Sequence, residues 1–302
     1  MVLAALFAPA LFALSTQNAT QNPPAANSAV PGTINYVEGM ATVNGQPLDR
    51  QSIGSAVEPG QVIATSQGRA EVLLAPGVFL RLGDNSAAQM ISPDLTNTVV
   101  NINRGQAAVE VDQLFRENNI HIAENQVPVQ LVKPGLYQFD ADRGTVLVFK
   151  GEAAVARGNG KWVTIKEGHD LNVAEGVSAS MKPAKFDAER QQSNSLYQWS
   201  SLRSEYLAEA NSQLAPEYAA AGYAPGWYWD PWMWDYTFLG PYPFYSPFGW
   251  GFYPFGYAGF GYWGGYYGGG GYPHRILPMP HSGMAFHGGE MGGFHGGGHA
   301  GR

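Results

Sequence analysis

The first half of the chain holds the polar side chains that could support acid–base chemistry or bind a metal ion. A catalytic acid and base, an activated nucleophile or a metal site each need two or three such groups at a recognisable spacing. None of the candidates has such spacing; they are Asp84, Asp94, Glu110, Asp112, His121, Asp140 and Asp142. We therefore predict no catalytic residues, no metal site and no cofactor, and expect a protein that is not an enzyme.

Two of these positions have a simple structural interpretation. Asp140-Ala141-Asp142 precedes Arg143-Gly144 and lacks the further oxygen ligands that a calcium loop needs, so it predicts a hairpin turn. His121 alternates with Ile120 and Ile122, which favours an outward-facing residue of a strand over a metal ligand.

Aromatic residues are concentrated between Gly226 and Tyr272, where Gly and Pro separate them. Six of the eight Trp lie there, with only Asp230 and Asp235 as charges. Such a segment must contact something, and three interpretations stay open: self-packing or envelope association, binding of a glycan whose sugar rings stack on indoles, and a plain low-complexity tail. The candidate contact residues are Trp227, Trp229, Trp232, Trp234, Trp250 and Trp263.

Histidine is enriched in the last thirty residues, among Gly and Met. Imidazoles can bind Zn, Cu or Ni, but the spacing is loose and Glu290 is the only acidic residue nearby, so we expect no specific metal site. These residues are His274, His281, His287, His295 and His299.

Composition excludes several classes of protein. The net charge is −7 and no basic cluster exceeds two adjacent residues, so nucleic acid is not expected as a partner. The chain has no cysteine, which excludes disulfides, thiol nucleophiles and cysteine-based zinc sites.

The elements that position these residues are predicted to be strands. The phrase Gly-x-Ala-x-Val occurs at Gly39–Val43, Gly68–Val72, Gly105–Val109 and Gly151–Val155. Ala and Val two apart share one face of a strand, and the Gly marks a bend or a close approach of backbones. Pro-Gly pairs supply turns between further apolar runs rich in β-branched residues.

Two stretches have helical features. A weak one spans Val111 to Asn118. A stronger one follows the strands, where Leu196, Trp199, Leu202, Tyr206 and Ala210 recur at helical spacing and Pro216 is expected to end the helix; Asp187 or Ser195 could cap it. Its apolar stripe is expected to pack on the β-module, with a docking helix for a partner as the alternative.

The N-terminus resembles an export signal. An apolar run, Val2 to Leu14, is too short to span a bilayer and ends in Ala13-Leu14-Ser15, although no Lys or Arg precedes it. We predict a signal peptide at 1–15, a flexible leader at 16–30, and no transmembrane helix in the mature chain.

The order of several phrases resembles the FecR-like domain over roughly residues 32 to 178. The phrases are Gly39–Val43, Val57–Thr65, Gly68–Val72, Gly77–Ser86 and Asn103–Ala107. The resemblance implies an extracytoplasmic β-domain. In the founding members this domain is the periplasmic part of a transmembrane regulator that relays a signal from an outer-membrane transporter to a sigma factor controlling iron uptake. This chain departs from that plan, because no cytoplasmic helices precede the apolar run.

The sequence therefore predicts an all-β fold in which repeated short strands form a stacked, β-solenoid-like or sandwich-like module, followed by one helix and a low-complexity tail. The predicted parts are a FecR-like β-module at 31–180, a helical connector at 185–215 and the tail at 216–302. We expect an exported, non-enzymatic protein of the periplasm or outer envelope that binds an envelope protein or polysaccharide and self-associates through its tail. The alternatives are a periplasmic regulator of a sigma factor and a glycan-binding protein.

Overall fold

The computed structural model describes residues 29–253, except 125, 158–159, 175–181 and 222–223. The predicted signal peptide, most of the leader, Trp263 and the histidine-rich segment lie outside the described residues. The prediction of an all-β fold is confirmed, because the described residues are mostly strand and contain a single helix longer than six residues.

One sheet of fifteen strands forms the body of the protein. Its strands are β1 (Thr33–Val43), β2 (Gln46–Pro47), β3 (Val62–Ala75), β4 (Val78–Leu82), β5 (Ala87–Asp94), β6 (Asn97–Arg104), β7 (Gln106–Val111), β8 (Ile120–Glu124), β9 (Val127–Leu131), β10 (Gly135–Asp140), β11 (Thr145–Lys150), β12 (Glu152–Ala156), β13 (Trp162–Lys166), β14 (His169–Asn172) and β15 (Ala184–Lys185). The order is β13-β12-β9-β8-β6-β5-β3-β4-β7-β10-β11-β14-β15, and β1 pairs with β2 and β3. The pairing of β6 with β8 is parallel, whereas the other pairings described in this sheet are antiparallel.

The sheet curls so that strands from its two ends share one apolar core. Val163 and Ile165 of β13 belong to the same buried cluster as Val146 of β11 and Leu171 of β14. Alternation explains this, since Val163 and Ile165 are buried while Trp162, Thr164 and Lys166 of the same strand are exposed. In β13 the alternating pattern therefore defines the face that packs in the core.

Glycines of the repeated phrase allow two strands to cross closely. Gly39 of β1 lies opposite Gly68 of β3, and a register shift follows between Gly39 and Ala41. A Cβ on Gly68 would lie 2.5 Å from the Glu38 carbonyl oxygen, and Gly39 has a φ of +67°. The bend and the close approach expected from the sequence both occur at this crossing.

Two helices follow the sheet, and they differ from the predicted connector. Asp187 caps α1 (Ala188–Gln192), and the Asn194 side chain accepts a hydrogen bond from the Tyr197 amide at the start of α2 (Ser195–Ala221). The prediction that Pro216 ends the helix is wrong, because α2 contains it. Leu214 and Ala215 pack on later strands and hold this last part of the helix in place. The weak helical stretch at 111–118 is also absent, since residues 112–119 form turns and irregular structure.

The buried face of α2 is more polar than predicted. Leu196, Trp199 and Ala210 are buried as expected, but Leu202 and Tyr206 are exposed. The helix instead buries a set of polar side chains together with Leu207. These polar residues are Ser200, Arg203, Ser204 and Asn211. The reason is that α2 covers a part of the sheet that carries carboxylates, as described below.

Residues after α2 form two small hairpins. The first pairs β16 (Gly226–Asp230) with β17 (Asp235–Leu239), and the second pairs β18 (Phe244–Tyr245) with β19 (Gly251–Phe252). Their buried aromatic residues pack with Leu73 of β3, Phe79 of β4 and Leu207 of α2. This part of the predicted low-complexity tail is therefore folded, because its aromatic side chains build a second core on the outer face of the sheet. No helix within the described residues is long and apolar enough to cross a membrane.

Candidate binding site at the aromatic hairpin

A buried cluster of charged side chains joins the sheet to α2 and β17. The Arg81 guanidinium donates to Glu71 Oε2 at 2.6 Å and to Glu110. The Arg203 Nη2 atom of α2 donates to Glu71 Oε1 at 2.9 Å and to Asp235 Oδ2 of β17 at 2.7 Å. All five side chains are at most 3% exposed, so the cluster is an internal connection between three elements.

The electrostatics of this cluster are set by burial and by the two guanidinium groups. Burial alone would raise the pKa of Glu71, but the charges of Arg203 and Arg81 outweigh it and lower that pKa from 4.5 to about 2. Burial raises the pKa of Asp235 despite its contact with Arg203. Burial and the nearby Glu110 carboxylate raise the pKa of Asp112 well above its usual value. Glu71 therefore serves as the anionic centre, shared by both arginines.

Neutral hydrogen bonds complete the attachment of β17. Asn35 of β1 donates from Nδ2 to Glu71 Oε1 at 2.8 Å and to the Tyr236 carbonyl at 3.0 Å, and its Oδ1 accepts from the Tyr236 amide at 2.6 Å. Thr237 Oγ1 donates to the Leu207 carbonyl at 2.6 Å. The Arg203 guanidinium also lies 4.1 Å from the centroid of the Tyr36 ring. The hairpin formed by β16 and β17 is thereby held against both β1 and α2.

The turn of this hairpin presents large apolar side chains to solvent. We call Pro231, Trp232, Met233 and Trp234 the aromatic tip. Trp232 is 85% exposed, Trp234 42% and Met233 40%. Asp230 shapes the turn, because its Oδ1 accepts from the Trp232 amide and its carbonyl accepts from the Trp234 amide, both at 2.8 Å.

Trp234 adopts a backbone conformation that is unfavourable for its residue type. Its φ is +60°, in the left-handed region that costs an L-residue about 1–2 kcal/mol. The ring contacts Trp229 edge to face at a centroid distance of 5.3 Å, and the Arg50 guanidinium lies 4.5 Å from its centroid. Backbone strain of this kind is concentrated at functional positions, so Trp234 marks the tip as a candidate site.

A groove of about 360 Å³ lies between the aromatic tip and the β1–β2 region. Arg50 belongs to a short 3₁₀ helix, Arg50–Ser52, which Asp49 caps by accepting from the Gln51 and Ser52 amides at 2.9 and 3.1 Å. The volume lies at the lower end of the range for small-molecule sites. The groove is lined by Tyr36, Val37, Gly39, Leu48, Asp49, Arg50, Ile53, Met233 and Trp234.

The structure divides the aromatic candidates into different environments. Trp227 is buried and meets Phe79 edge to face at 5.0 Å, so it is a core residue. Trp229 is half-buried, and Trp250, also half-buried, donates from Nε1 to the Ser201 carbonyl at 3.0 Å. Trp232 and Trp234 are exposed at the tip. Among the candidates that the structure describes, these last two expose the most surface for a contact with another molecule.

Sequence reasoning missed the other wall of the groove. Tyr36, Asp49 and Arg50 lie about 190 residues before the tip in the chain. A local feature was nevertheless present, because Asp49 and Ser52 have the spacing of a capping box and form one in the structure. That pattern predicts the short helix but not its position beside Trp234.

Three of the carboxylate candidates of the first half, Asp84, Asp140 and Asp142, line one groove of about 310 Å³. Asp140 Oδ1 accepts from the Arg143 amide at 3.1 Å and Asp142 Oδ1 accepts from the Gly105 amide at 3.0 Å, as side chains of the predicted hairpin turn. Glu110 and Asp112 lie near each other in the buried cluster. Within the described ranges, no group of three His, Asp or Glu side chains could hold a metal ion.

His121 occupies the predicted position on a strand. It lies on β8 between the buried Ile120 and Ile122, is half-buried, and its Nε2 lies 2.9 Å from Asn119 Oδ1. Burial lowers its pKa. These contacts are those of a strand residue that faces away from the core.

Comparison with known proteins gives partial structural neighbours. No family model matches the chain, and no curated protein matches it. Two crystal structures of a "putative anti-sigma factor" from Parabacteroides distasonis are similar, each at 16% sequence identity and a TM-score of 0.36. Each match covers 43% of this chain and 62% of the other, so the chain spans less than two thirds of that protein.

Proposed function

We propose that the protein is an exported, non-enzymatic binding protein of the cell envelope that contacts its partner through the aromatic tip. The observation that carries the proposal is the exposure of two indole rings and a methionine at one turn. Large apolar side chains grouped on a surface mark sites of interaction, and Trp is among the residues most enriched at the centres of interfaces.

Rigidity of the surrounding structure supports a binding role. The tip extends from a hairpin that the Arg203–Asp235 contact and the Asn35 hydrogen bonds attach to the sheet. A contact residue that is already ordered loses less conformational entropy when it binds. The aromatic tip is therefore preorganised for binding in the free protein.

Export is supported by the sequence. The apolar run at the N-terminus has the length of a signal-peptide core, and the phrases of the first half resemble the FecR-like domain, which is extracytoplasmic. The absence of cysteine does not oppose export, since the two apolar cores and the buried ion cluster stabilise the fold without disulfides.

The test is fractionation of cells that express the full chain or a Trp232→Ala variant. We expect the full chain to sediment with the envelope and its N-terminus, determined by mass spectrometry, to lie near Thr16. Most of the Trp232→Ala variant should remain in the soluble fraction. Trp162→Ala is the matched control, because Trp162 is 49% exposed on β13 and does not line the groove. Equal sedimentation of Trp232→Ala and the full chain would contradict the proposal.

A second candidate is a periplasmic signalling regulator. The order of the FecR-like phrases favours it, because the founding members relay a transport signal to a sigma factor. The same fractionation separates the two functions. A regulator of that type would retain its apolar N-terminal segment and remain in the inner membrane, whether or not Trp232 is present.

A further inference from the structure

We propose that the groove beside the aromatic tip binds a β-linked pyranose chain, so that the envelope partner is a polysaccharide. The inference rests on the proposed function and adds the chemical class of the partner. It depends on the combination, within one groove, of aromatic surface with exposed hydrogen-bonding groups whose positions the fold determines.

The aromatic surface is provided by Trp234 and Tyr36, which line the groove. Pyranose rings with equatorial substituents have flat C–H faces that stack on aromatic rings. Trp232, two residues from Trp234 and 85% exposed, offers a further ring beyond the groove. Aromatic rings in the groove and a further exposed ring two residues away suit an extended chain of flat rings better than a single compact ligand.

The polar groups match the hydroxyl groups of a sugar. The Arg50 guanidinium is positioned over Trp234 at 4.5 Å, is exposed, and forms no ion pair among the described residues. It therefore has hydrogen-bond donors available beside the aromatic wall. Asp49 caps the short helix with Oδ1, and Oδ2 lies outside those hydrogen bonds. One donor group and one acceptor group thus adjoin the same groove.

Charge and shape argue against a lipid surface as the partner. Segments that lie in a membrane interface are rich in Lys and Arg on their polar face, whereas, among the described residues, Arg50 is the single cation that lines the groove beside the tip. The whole chain has a net charge of −7, which opposes an anionic leaflet. A flat membrane surface is also a poor fit for a concave groove that carries polar groups at one end.

The ligand would bind a site that is already formed. Trp234 has its left-handed backbone in the unbound protein, and the Arg203 guanidinium packs over the Tyr36 ring at 4.1 Å. Preorganisation of both walls lowers the entropic cost of binding. A protein partner could use the same exposed rings, and the experiment below separates that outcome.

The test is saturation-transfer NMR with the full chain and three probes: chitotetraose, cellotetraose and the α-linked maltotetraose. We expect saturable transfer to at least one of the β-linked probes and weaker transfer to maltotetraose. Affinity should fall about tenfold in Trp234→Ala and in Arg50→Gln, as expected for loss of a stacking platform or of hydrogen bonds from a charged donor. Trp162→Ala should bind like the unmodified protein. Circular dichroism of each variant verifies that it is folded.

The outcomes distinguish this inference from the proposed function. If Trp232→Ala abolishes envelope sedimentation but neither β-linked probe receives saturation, the saccharide is rejected and envelope binding stands. Binding to phosphatidylethanolamine–phosphatidylglycerol vesicles that requires Trp232, with no transfer to sugar, would replace the saccharide by a membrane. Sugar binding that is unchanged in Trp234→Ala and Arg50→Gln would place the site elsewhere and overturn the inference. If no variant loses envelope sedimentation or sugar binding, both the proposed function and the saccharide inference are rejected.

Discussion

Arg203 of α2 donates to Glu71 of β3 across 2.9 Å, although 132 residues separate them in the chain. The same Arg203 nitrogen reaches Asp235 of β17 at 2.7 Å. One guanidinium therefore joins the sheet, the long helix and the hairpin that carries the aromatic tip. Both carboxylates are buried, and Arg203 is the charged contact common to all three elements.

Replacement of Arg203 by Met should strongly destabilise the protein. The change leaves Asp235 without a cation and Glu71 with Arg81 alone, and removal of one partner of a buried pair costs about 3–5 kcal/mol. Urea unfolding followed by circular dichroism measures the free energy of unfolding. Arg190→Met on α1 is the control, because Arg190 is exposed and should change stability by less than about 0.5 kcal/mol. An equal effect of the two changes would refute the importance of the Arg203 contacts.

Glu124 should make stability depend on pH between about 4.5 and 8. Burial, followed by the charge of Asp140, raises its pKa from 4.5 to about 8, so the folded state holds the proton more tightly than the unfolded state. This contribution is present below pH 4.5 and is lost as the pH rises towards 8. Glu124→Gln should flatten the decline of the melting temperature across this range and make the variant more stable than the parent at pH 8.

The measurement is a series of thermal melts from pH 4.5 to 8.5. His121→Gln is a suitable control on the same strand, since it removes a neighbouring titratable group but leaves the buried carboxyl. Burial lowers the His121 pKa, so titration of His121 raises stability as the pH rises, and the decline should persist in His121→Gln. A decline that persists unchanged in Glu124→Gln would contradict the role of Glu124.

A methyl group at Gly68 should disrupt the crossing of β1 and β3. The added Cβ would lie 2.5 Å from the Glu38 carbonyl oxygen and 2.5 Å from the Met40 amide nitrogen, and both are backbone atoms that cannot rotate away. We expect Gly68→Ala to cost about 1–3 kcal/mol or more. Gly226→Ala is the matched control, because its Cβ would meet no atom within 4 Å. Chemical denaturation of both variants compares the costs.

A chain that ends at Ala215 should be less stable than the full chain and should bind a hydrophobic dye. Truncation removes Trp227 and Phe238, which cover Phe79 and Leu73 on the outer face of the sheet, and it removes Asp235 from Arg203. Dye fluorescence and the melting temperature measure the exposed surface and the stability. A chain ending at Tyr253 separates this effect from that of the later residues. Unchanged melting of the shorter chain would contradict the second core.

The strands could largely be predicted from the sequence. β8 alternates over Ile120, His121 and Ile122, and both isoleucines are buried, with His121 on the other face as predicted. β13 shows the same alternation in its burial pattern. The turn at Asp140–Asp142 and the bend at Gly39 were equally visible. These features depend on neighbouring residues only, because side chains alternate along a strand and Asp and Gly favour turns for reasons of their own backbone.

The buried face of α2 and the packing of the aromatic hairpins were harder to predict from the sequence. The helical spacing predicted that Leu202 and Tyr206 are buried. In the structure Arg203 and Ser204 are buried on that helix instead. They hydrogen-bond to the buried carboxylates Glu71 and Glu110 of the sheet. Likewise, nothing in the segment around Trp227–Trp234 distinguishes the buried Trp227 from the exposed Trp232. Both features depend on contacts between residues that are far apart in the chain.

The sequence by itself determined the all-β character, the turns and the enrichment of aromatic residues near the C-terminus, because periodicity and composition are local properties. The tertiary structure alone decided which charges meet in the buried cluster, which tryptophans remain at the surface, and that Arg50 and Asp49 adjoin Trp234. These relationships depend on how the sheet curls and on where α2 lies across it. Burial makes an unpaired charge costly, so the fold, and not the local pattern, selects the partners.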